Sequence, residues 1–329
     1  MRVFLAGATG AIGKRLTPML VAAGHSVTGT TRYPNKADAI RAAGATPAIV
    51  NALNEGEVLE AVQRAKPDVI VHELTAIPAS FNLKRINEEF AQTNRLRTEG
   101  TDNLIAAARK AGCRRVIAQS FTGWPYARTG AWVKTEEDPL MSNAEPALRK
   151  SFEAIRHVES AVAGDPSIAG IVLRYGGFYG PGTSLGIGGS FLEAVRRRQM
   201  PIVGKGTGYW SFLHIDDAAS ATLAAIEARE LGIYNVCDDE PAPVSVWLPF
   251  LASTLGAKPP RHLPRWIGRM VIGQHGVAWM NEIRGASNAK AKALLNWKPK
   301  WTSWRLGFRD GLEDAPQVPA PQSKLKKAG

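Results

Sequence analysis

Cysteine is scarce. Cys113 and Cys237 stand far apart in the 329-residue chain, with no Cys-x-x-Cys or Cys/His ligand spacing anywhere, which excludes a disulfide framework and leaves no zinc signature. Long apolar runs are missing too: no stretch approaches the ~20 residues a membrane-spanning helix requires. With 45% hydrophobic and 21% charged residues, the composition is that of a globular protein. Acidic side chains are outnumbered by basic ones, 29 against 41, for a net charge of +12. That balance favours anionic ligands without choosing among phosphorylated cofactors, nucleotide sugars, nucleic acid and acidic membrane. No carboxylate occurs before Asp38. These shortages point to a reducing, cytoplasmic setting and to one large or two unequal domains.

Arg2 and the apolar run through Gly13 imitate a short secretory signal, but three spaced glycines followed by Lys14 and Arg15 suit a strand entering a glycine turn better. Up to about residue 173, short β-branched runs alternate with alanine-rich amphipathic stretches, as in parallel strands and crossover helices. The pattern predicts strands at 3–5, 26–29, 69–72, 115–118 and 170–173, and helices at 14–23, 58–65, 97–111 and 147–163. The fold class expected is α/β, a Rossmann-type doubly wound parallel sheet with a smaller C-terminal α+β substrate domain. Residues 1–175 would form the dinucleotide-binding domain, with 210–237 adding to it. Residues 176–209 and 238–312 would form the substrate domain, where Gly and Pro cluster and tryptophans concentrate. Residues 313–329, with Pro316, Pro319 and Pro321 ahead of Lys324, Lys326 and Lys327, read as a disordered basic tail.

Gly7-Ala8-Thr9-Gly10-Ala11-Ile12-Gly13 follows a predicted strand and opens a predicted helix. Glycine at such a junction lets the backbone approach a pyrophosphate at the positive end of the helix. Gly7, Thr9, Gly10, Ala11, Ile12 and Gly13 are therefore candidates for a dinucleotide cradle, spaced G-x-x-G-x-x-G instead of G-x-G-x-x-G. About twenty residues further on, a carboxylate would hold the ribose 2′-hydroxyl of NAD. The chain has Thr30, Thr31 and Arg32 there. Arg32 with Lys36 suits the extra phosphate of NADP through charge-assisted hydrogen bonds, unless Arg32 is an ordinary solvated loop charge. NADP is the preferred cofactor and NAD the alternative.

Further motifs follow in order: Asp68-Val69-Ile70-Val71-His72 before Thr75-Ala76; Asn94 ahead of Gly100-Thr101; Ser120 ending a strand; Leu173-Arg174-Tyr175 with Phe178-Tyr179-Gly180-Pro181-Gly182; Phe212-Leu213-His214-Ile215-Asp216-Asp217-Ala218; Tyr234-Asn235-Val236; and Leu294-Leu295-Asn296-Trp297-Lys298-Pro299. Together with the glycine turn they resemble the extended short-chain dehydrogenase/reductase family, the NAD-dependent epimerase/dehydratase type, from Met1 to about Gly311. The resemblance implies a Rossmann domain holding the dinucleotide and a smaller domain closing over a small-molecule substrate, often a nucleotide sugar or another carbonyl or hydroxyl compound. It places Leu74, Thr75, Ala76, Asn94 and Tyr179 at the cofactor, beside Thr31 and Arg32. It also suggests a homodimer built on residues 98–111 and 147–163.

The family's usual proton relay is a Tyr-x-x-x-Lys pair, in which lysine lowers the tyrosine pKa for exchange with a substrate hydroxyl. This chain has no such pair. Four residues after Tyr33, Tyr126, Tyr175, Tyr179, Tyr209 and Tyr234 stand Ala37, Gly130, Tyr179, Thr183, Leu213 and Asp238. Registering the family's helix by Glu159 puts Ser151 and Ile155 at the relay positions; registering it by Lys150 puts Pro146 at the tyrosine's. The catalytic candidates become Ser120, Thr122 and Tyr126. Ser120 reads equally as substrate donor and local cap. Tyr126, in Gly123-Trp124-Pro125-Tyr126, reads as a loop phenol swinging over the nicotinamide or as part of an apolar lid. Tyr179 and Lys150 stand behind it. His214 is expected to bond backbone between the domains, and Arg196-Arg197-Arg198 to face water.

Two functions stay open. One is an NADP-dependent oxidoreductase or epimerase/dehydratase on a carbonyl or hydroxyl substrate; the other is a non-catalytic NAD(P)-binding sensor or assembly protein of the same fold. No nucleic-acid module is recognised, and three tail lysines give little hold on a membrane.

Overall fold

Val3, Phe4 and Leu5 are all buried, as a strand must be when helices cover both faces of a parallel sheet. In the computed structural model, which describes residues 1–78 and 85–314, this strand lies inside a seven-stranded parallel sheet. Its members are β1 (Arg2–Ala6), β2 (Ser26–Thr31), β3 (Thr46–Ile49), β4 (Val69–His72), β5 (Arg115–Phe121), β6 (Ala169–Tyr175) and β7 (Gly232–Val236). They lie side by side in the order β7-β6-β5-β4-β1-β2-β3. Beyond Asp314, the tail expected from residue 313 onward falls outside the described residues.

Helices Ala11–Ala22 and Ile215–Glu227 cover one face, where Leu16, Leu20 and Ala221 meet Val3, Leu5 and Val71. Helices Glu55–Ala65, Glu99–Lys110 and Arg149–Ala163 cover the other, burying Val62, Ala108 and Val158 against Phe4, Ile70 and Val116. The strand order reverses between β1 and β4, so their carboxyl ends open the crevice where doubly wound sheets take ligands. A second core gathers Tyr179, Phe212, Trp247, Trp304 and Phe308.

Two differences from expectation have local causes. β3 was not expected, because Pro47 and half-exposed neighbours erase its pattern; proline is tolerated there because the strand forms the sheet's edge. The helix expected over 97–111 is two, Ala91–Arg97 and Glu99–Lys110, separated at Thr98, where φ is −96° and ψ −83°. Thr98 Oγ1 donates to the Asn94 carbonyl at 3.1 Å, a back-bond that competes with the helical ladder.

Candidate dinucleotide and substrate site

The turn between β1 and its helix is shaped by contacts that only glycine permits. Gly7 has φ of +102°, and a Cβ on it would lie 2.8 Å from the Glu73 carbonyl oxygen. A Cβ on Gly13 would lie 2.2 Å from the Gly7 carbonyl oxygen. Gly10 caps the helix in extended conformation with no side-chain cap bond, and Gly10 and Ala11 are exposed, leaving the helix start open to an anion. Ile12 is turned into the core. β2 braces the turn: the Gly7 amide donates to Thr30 Oγ1 at 3.1 Å, and Thr9 Oγ1 to Thr31 Oγ1 at 3.4 Å. Directly after Thr31, the exposed Arg32 and Lys36 lie 4.7 and 4.8 Å from the centroid of the Tyr33 ring. A cradle that side chains would fill, beside free cations, fits the diphosphate and ribose end of a nicotinamide dinucleotide.

Polar groups without partners collect at the end of β4. Glu73 is 5% exposed; its Oε1 accepts from Tyr175 Oη at 3.0 Å, and its Oε2 has no partner among the described residues. Burial pushes its carboxyl up to about 8. His72 Nε2 bonds Thr101 Oγ1 at 3.0 Å and its Nδ1 accepts the Leu74 amide at 3.2 Å; burial draws the imidazole down to about 4, so the ring is neutral at neutral pH. The loop carrying Leu74, exposed Thr75 and Ala76 is tied down by the Ala76 amide, which donates to Thr93 Oγ1 at 3.0 Å. Asn94, on the same helix, donates to Ser151 Oγ at 3.2 Å and leaves its own Oδ1 unpaired.

The three catalytic candidates lie together, in a buried network at the ends of β5, β6 and β7. Ser120 Oγ donates to Glu159 Oε1 at 2.7 Å, and that carboxylate takes both Nε and Nη2 of Arg174, at 2.7 and 2.6 Å. Thr122 Oγ1 and Tyr126 Oη both donate to Asn235 Oδ1 at 2.8 Å, and Arg174 Nη1 donates to Tyr126 Oη at 3.0 Å. One expectation is corrected here. Tyr126 is not a swinging loop phenol: it is 1% exposed, held at both ends of its hydroxyl's bonding capacity, and burial raises its pKa. The Tyr179 ring is fully buried in the second core, edge-on to Phe212, His214 and Phe308. An aromatic at that position serves packing because Gly307 opposite leaves room for its hydroxyl.

His214 does bond backbone, to the Gly311 carbonyl at 2.9 Å and from the Asp216 amide at 3.1 Å. Lys150 is exposed, and the arginine run lies at the surface, with Arg196 beside Glu193. Sequence reasoning missed Glu73, Arg97 and the Glu159–Arg174 pair as site residues. Glu73 had a signal, a carboxylate directly behind four buried strand residues; the pairing of positions 159 and 174 had none.

The model of the NAD dependent epimerase/dehydratase family matches residues 3–237. The chain belongs to that family. Like other epimerase/dehydratase family members, it is an NAD(P)-dependent oxidoreductase or epimerase acting on small molecules, and its cofactor is a nicotinamide dinucleotide. A 3-diazoavenalumate denitrifying reductase from a Streptomyces species is 44% identical over 312 residues, covering 94% of this chain and 99% of that protein. A UDP-N-acetyl-alpha-D-glucosaminuronate decarboxylase from Bacillus cytotoxicus is 26% identical over 95% of this chain and 97% of its own length. Among solved structures, UDP-glucose 4-epimerase from Thermotoga maritima with UDP-glucose superposes with a TM-score of 0.72 at 20% identity, covering 95% of this chain and 97% of that one. A human epimerase family protein with NADPH does so with 0.72 at 21% identity, covering 95% and 99%. No helix among the described residues is long and apolar enough to cross a membrane.

Proposed function

We propose that this epimerase/dehydratase-family protein is an NADP-dependent reductase whose acceptor needs no proton from the protein, an arenediazonium carbon foremost. One observation carries the reading: in the register set by Glu159, both relay positions are filled by buried side chains with no acidic proton to offer. Ser151 is 3% exposed and bonded to Asn94, and Ile155 is 1% exposed in a wall with Trp124 and Phe152. Tyr126, five residues past the end of β5, is fixed between Asn235 and Arg174.

A ketone becomes an alkoxide on reduction and calls for a donor within hydrogen-bond reach. A cationic carbon does not. Bound NADPH would supply hydride; at an arenediazonium carbon the C–N electron pair leaves with N2 as the C–H bond forms, so atoms and charge balance without an acid. The name of the 44% identical relative supports this choice of acceptor. Arg32 and Lys36, with no carboxylate ahead of them in sequence, support NADP over NAD. Two buried free cysteines suit the cytoplasm, and the neighbouring helices Glu99–Lys110 and Arg149–Ala163 offer a face for a homodimer.

The test uses NADPH carrying deuterium at C4, with 4-carboxybenzenediazonium and 4-acetylbenzoate as acceptors. Deuterium on the ring carbon of the benzoate product, with no reduction of the ketone, is the expected result. Ketone reduction at a comparable rate, or turnover of neither acceptor by protein that binds NADPH, would overturn the proposal.

A further inference from the structure

The helix Ala91–Arg97 buries an arginine that no acid among the described residues meets. Arg97 is 7% exposed, and its Nε has no partner among the described residues. Burial alone draws its pKa down, to about 10, so the guanidinium still carries its charge at neutral pH. Residues 79–84 contain no carboxylate in sequence that could complete it. An isolated buried cation is strongly unfavourable, and proteins keep one where something anionic joins it.

Its position says where that anion would come from. Thr93 stands four residues before Arg97 on the same helix, and Thr101 Oγ1, past the break at Thr98, donates to the Arg97 carbonyl at 2.7 Å. Thr93 holds the Ala76 amide and Thr101 holds His72, so Arg97 lies between two residues tied to the carboxyl end of β4, at the switch-point crevice. Arg97 is close enough to His72 for its charge to lower the imidazole's pKa further. The facing helix Arg149–Ala163 meets this one through Asn94 and Ser151 at 3.2 Å and meets the next helix, Glu99–Lys110, through Asp102 and His157 at 2.7 Å. Arg97 falls between these contacts, across from the stretch that holds Ile155. Arg284, the other buried arginine without a carboxylate partner among the described residues, also leaves Nε and Nη1 unpartnered, but its charge is stacked 4.0 Å from the centroid of the Trp132 ring and it donates to the Arg128 carbonyl.

We propose that Arg97 is an anion-binding residue of the crevice, taking an oxyanion of the bound ligands: a diphosphate oxygen of the dinucleotide or the carboxylate of an acidic substrate. The inference rests on the dinucleotide site and not on the nature of the electrophile, so it is read by binding, without turnover.

The experiment titrates wild type, Arg97→Met and Arg97→Lys with inorganic diphosphate and NADP+ on the protein alone, and with benzoate on the NADP+ complex. Arg97→Met is expected to weaken at least one of these by about ten- to a hundredfold, the size of one or two charge-assisted hydrogen bonds, and Arg97→Lys to recover part of it. Joint loss of diphosphate and NADP+ names the cofactor; loss of benzoate with NADP+ unchanged names the substrate. The thermal midpoint of Arg97→Met should stay level or rise, because an unpaired buried charge has been removed. Affinities within twofold of wild type for all three probes would overturn the proposal. So would a fall in the midpoint of Arg97→Met accompanied by equal weakening in Arg97→Lys, which would make Arg97 a structural residue.

Discussion

Glu159 and Arg174 form a two-pronged ion pair, 2.7 and 2.6 Å apart, with side chains only 7% and 5% exposed, and Ser120 spends its hydroxyl on the same carboxylate. The pair bolts the helix Arg149–Ala163 to β6 directly beneath the positions a proton relay would occupy. Glu159→Gln leaves the guanidinium buried without its counter-charge. It should cost about 3–5 kcal/mol of stability, the usual penalty for breaking a buried pair from one side. Urea denaturation of the two proteins measures it; a loss below 1 kcal/mol would show that the pair is solvated in solution.

Glu73 makes the apoprotein's stability fall with pH. Its folded carboxyl, pushed up to about 8, lies above the ordinary value of 4.5, so its contribution is full below 4.5 and is lost as pH rises toward 8. Between those limits the slope from this one group is about 1.4 kcal/mol per pH unit. Glu73→Gln should flatten the profile over that window, measured by denaturation midpoints from pH 5 to 8. Parallel profiles for the two proteins would mean the carboxyl ionises freely.

Two glycines of the turn should fail differently when given a methyl. At Gly13 the added carbon would meet the Gly7 carbonyl at 2.2 Å, so Gly13→Ala should lose roughly 3 kcal/mol of stability, at the upper end of overpacking costs. At Gly10 the same contact is 3.2 Å and the position is exposed. Gly10→Ala should fold nearly as well as wild type and lose dinucleotide affinity. Denaturation and NADP+ titration of both variants separate the two effects.

Arg32→Ala should weaken NADP+ by about 1.5–3 kcal/mol, the worth of hydrogen bonds to a charged group, and leave NAD+ within a factor of two. Calorimetry with both nucleotides tests this. Equal weakening of both would make Arg32 a contact of the shared adenosine half.

What can be read from the chain follows the range of the forces involved. Gly7, Gly10 and Gly13 are legible because backbone sterics within one turn demand glycine, and the strand at 69–72 because four consecutive buried side chains leave an apolar run. Tyr126 looks like a lid residue in sequence because its neighbours Trp124 and Pro125 are apolar; its true role depends on Asn235, 109 residues away. Arg97 looks like a surface charge on an ordinary helix. Only the docking of the chain on either side of it, Thr93 on the loop after β4 and Thr101 on His72 at the end of β4, takes it out of water. The relay's absence is plain in sequence, whereas what fills its place, a wall of Ile155, Phe152 and Trp124, needs the packing.

Pro47 sets the limit of the sheet. The Val50 amide points inward, donating to the Thr31 carbonyl at 3.0 Å, so by the alternation of a strand the outward amides of β3 belong to positions 47 and 49. Position 47 has no amide hydrogen to offer, and the strand is four residues long. A second molecule sliding along this edge would find one hydrogen-bond donor where it needs two. The open edge is thereby guarded against strand-by-strand growth into aggregates, and replacing Pro47 with valine would remove that guard.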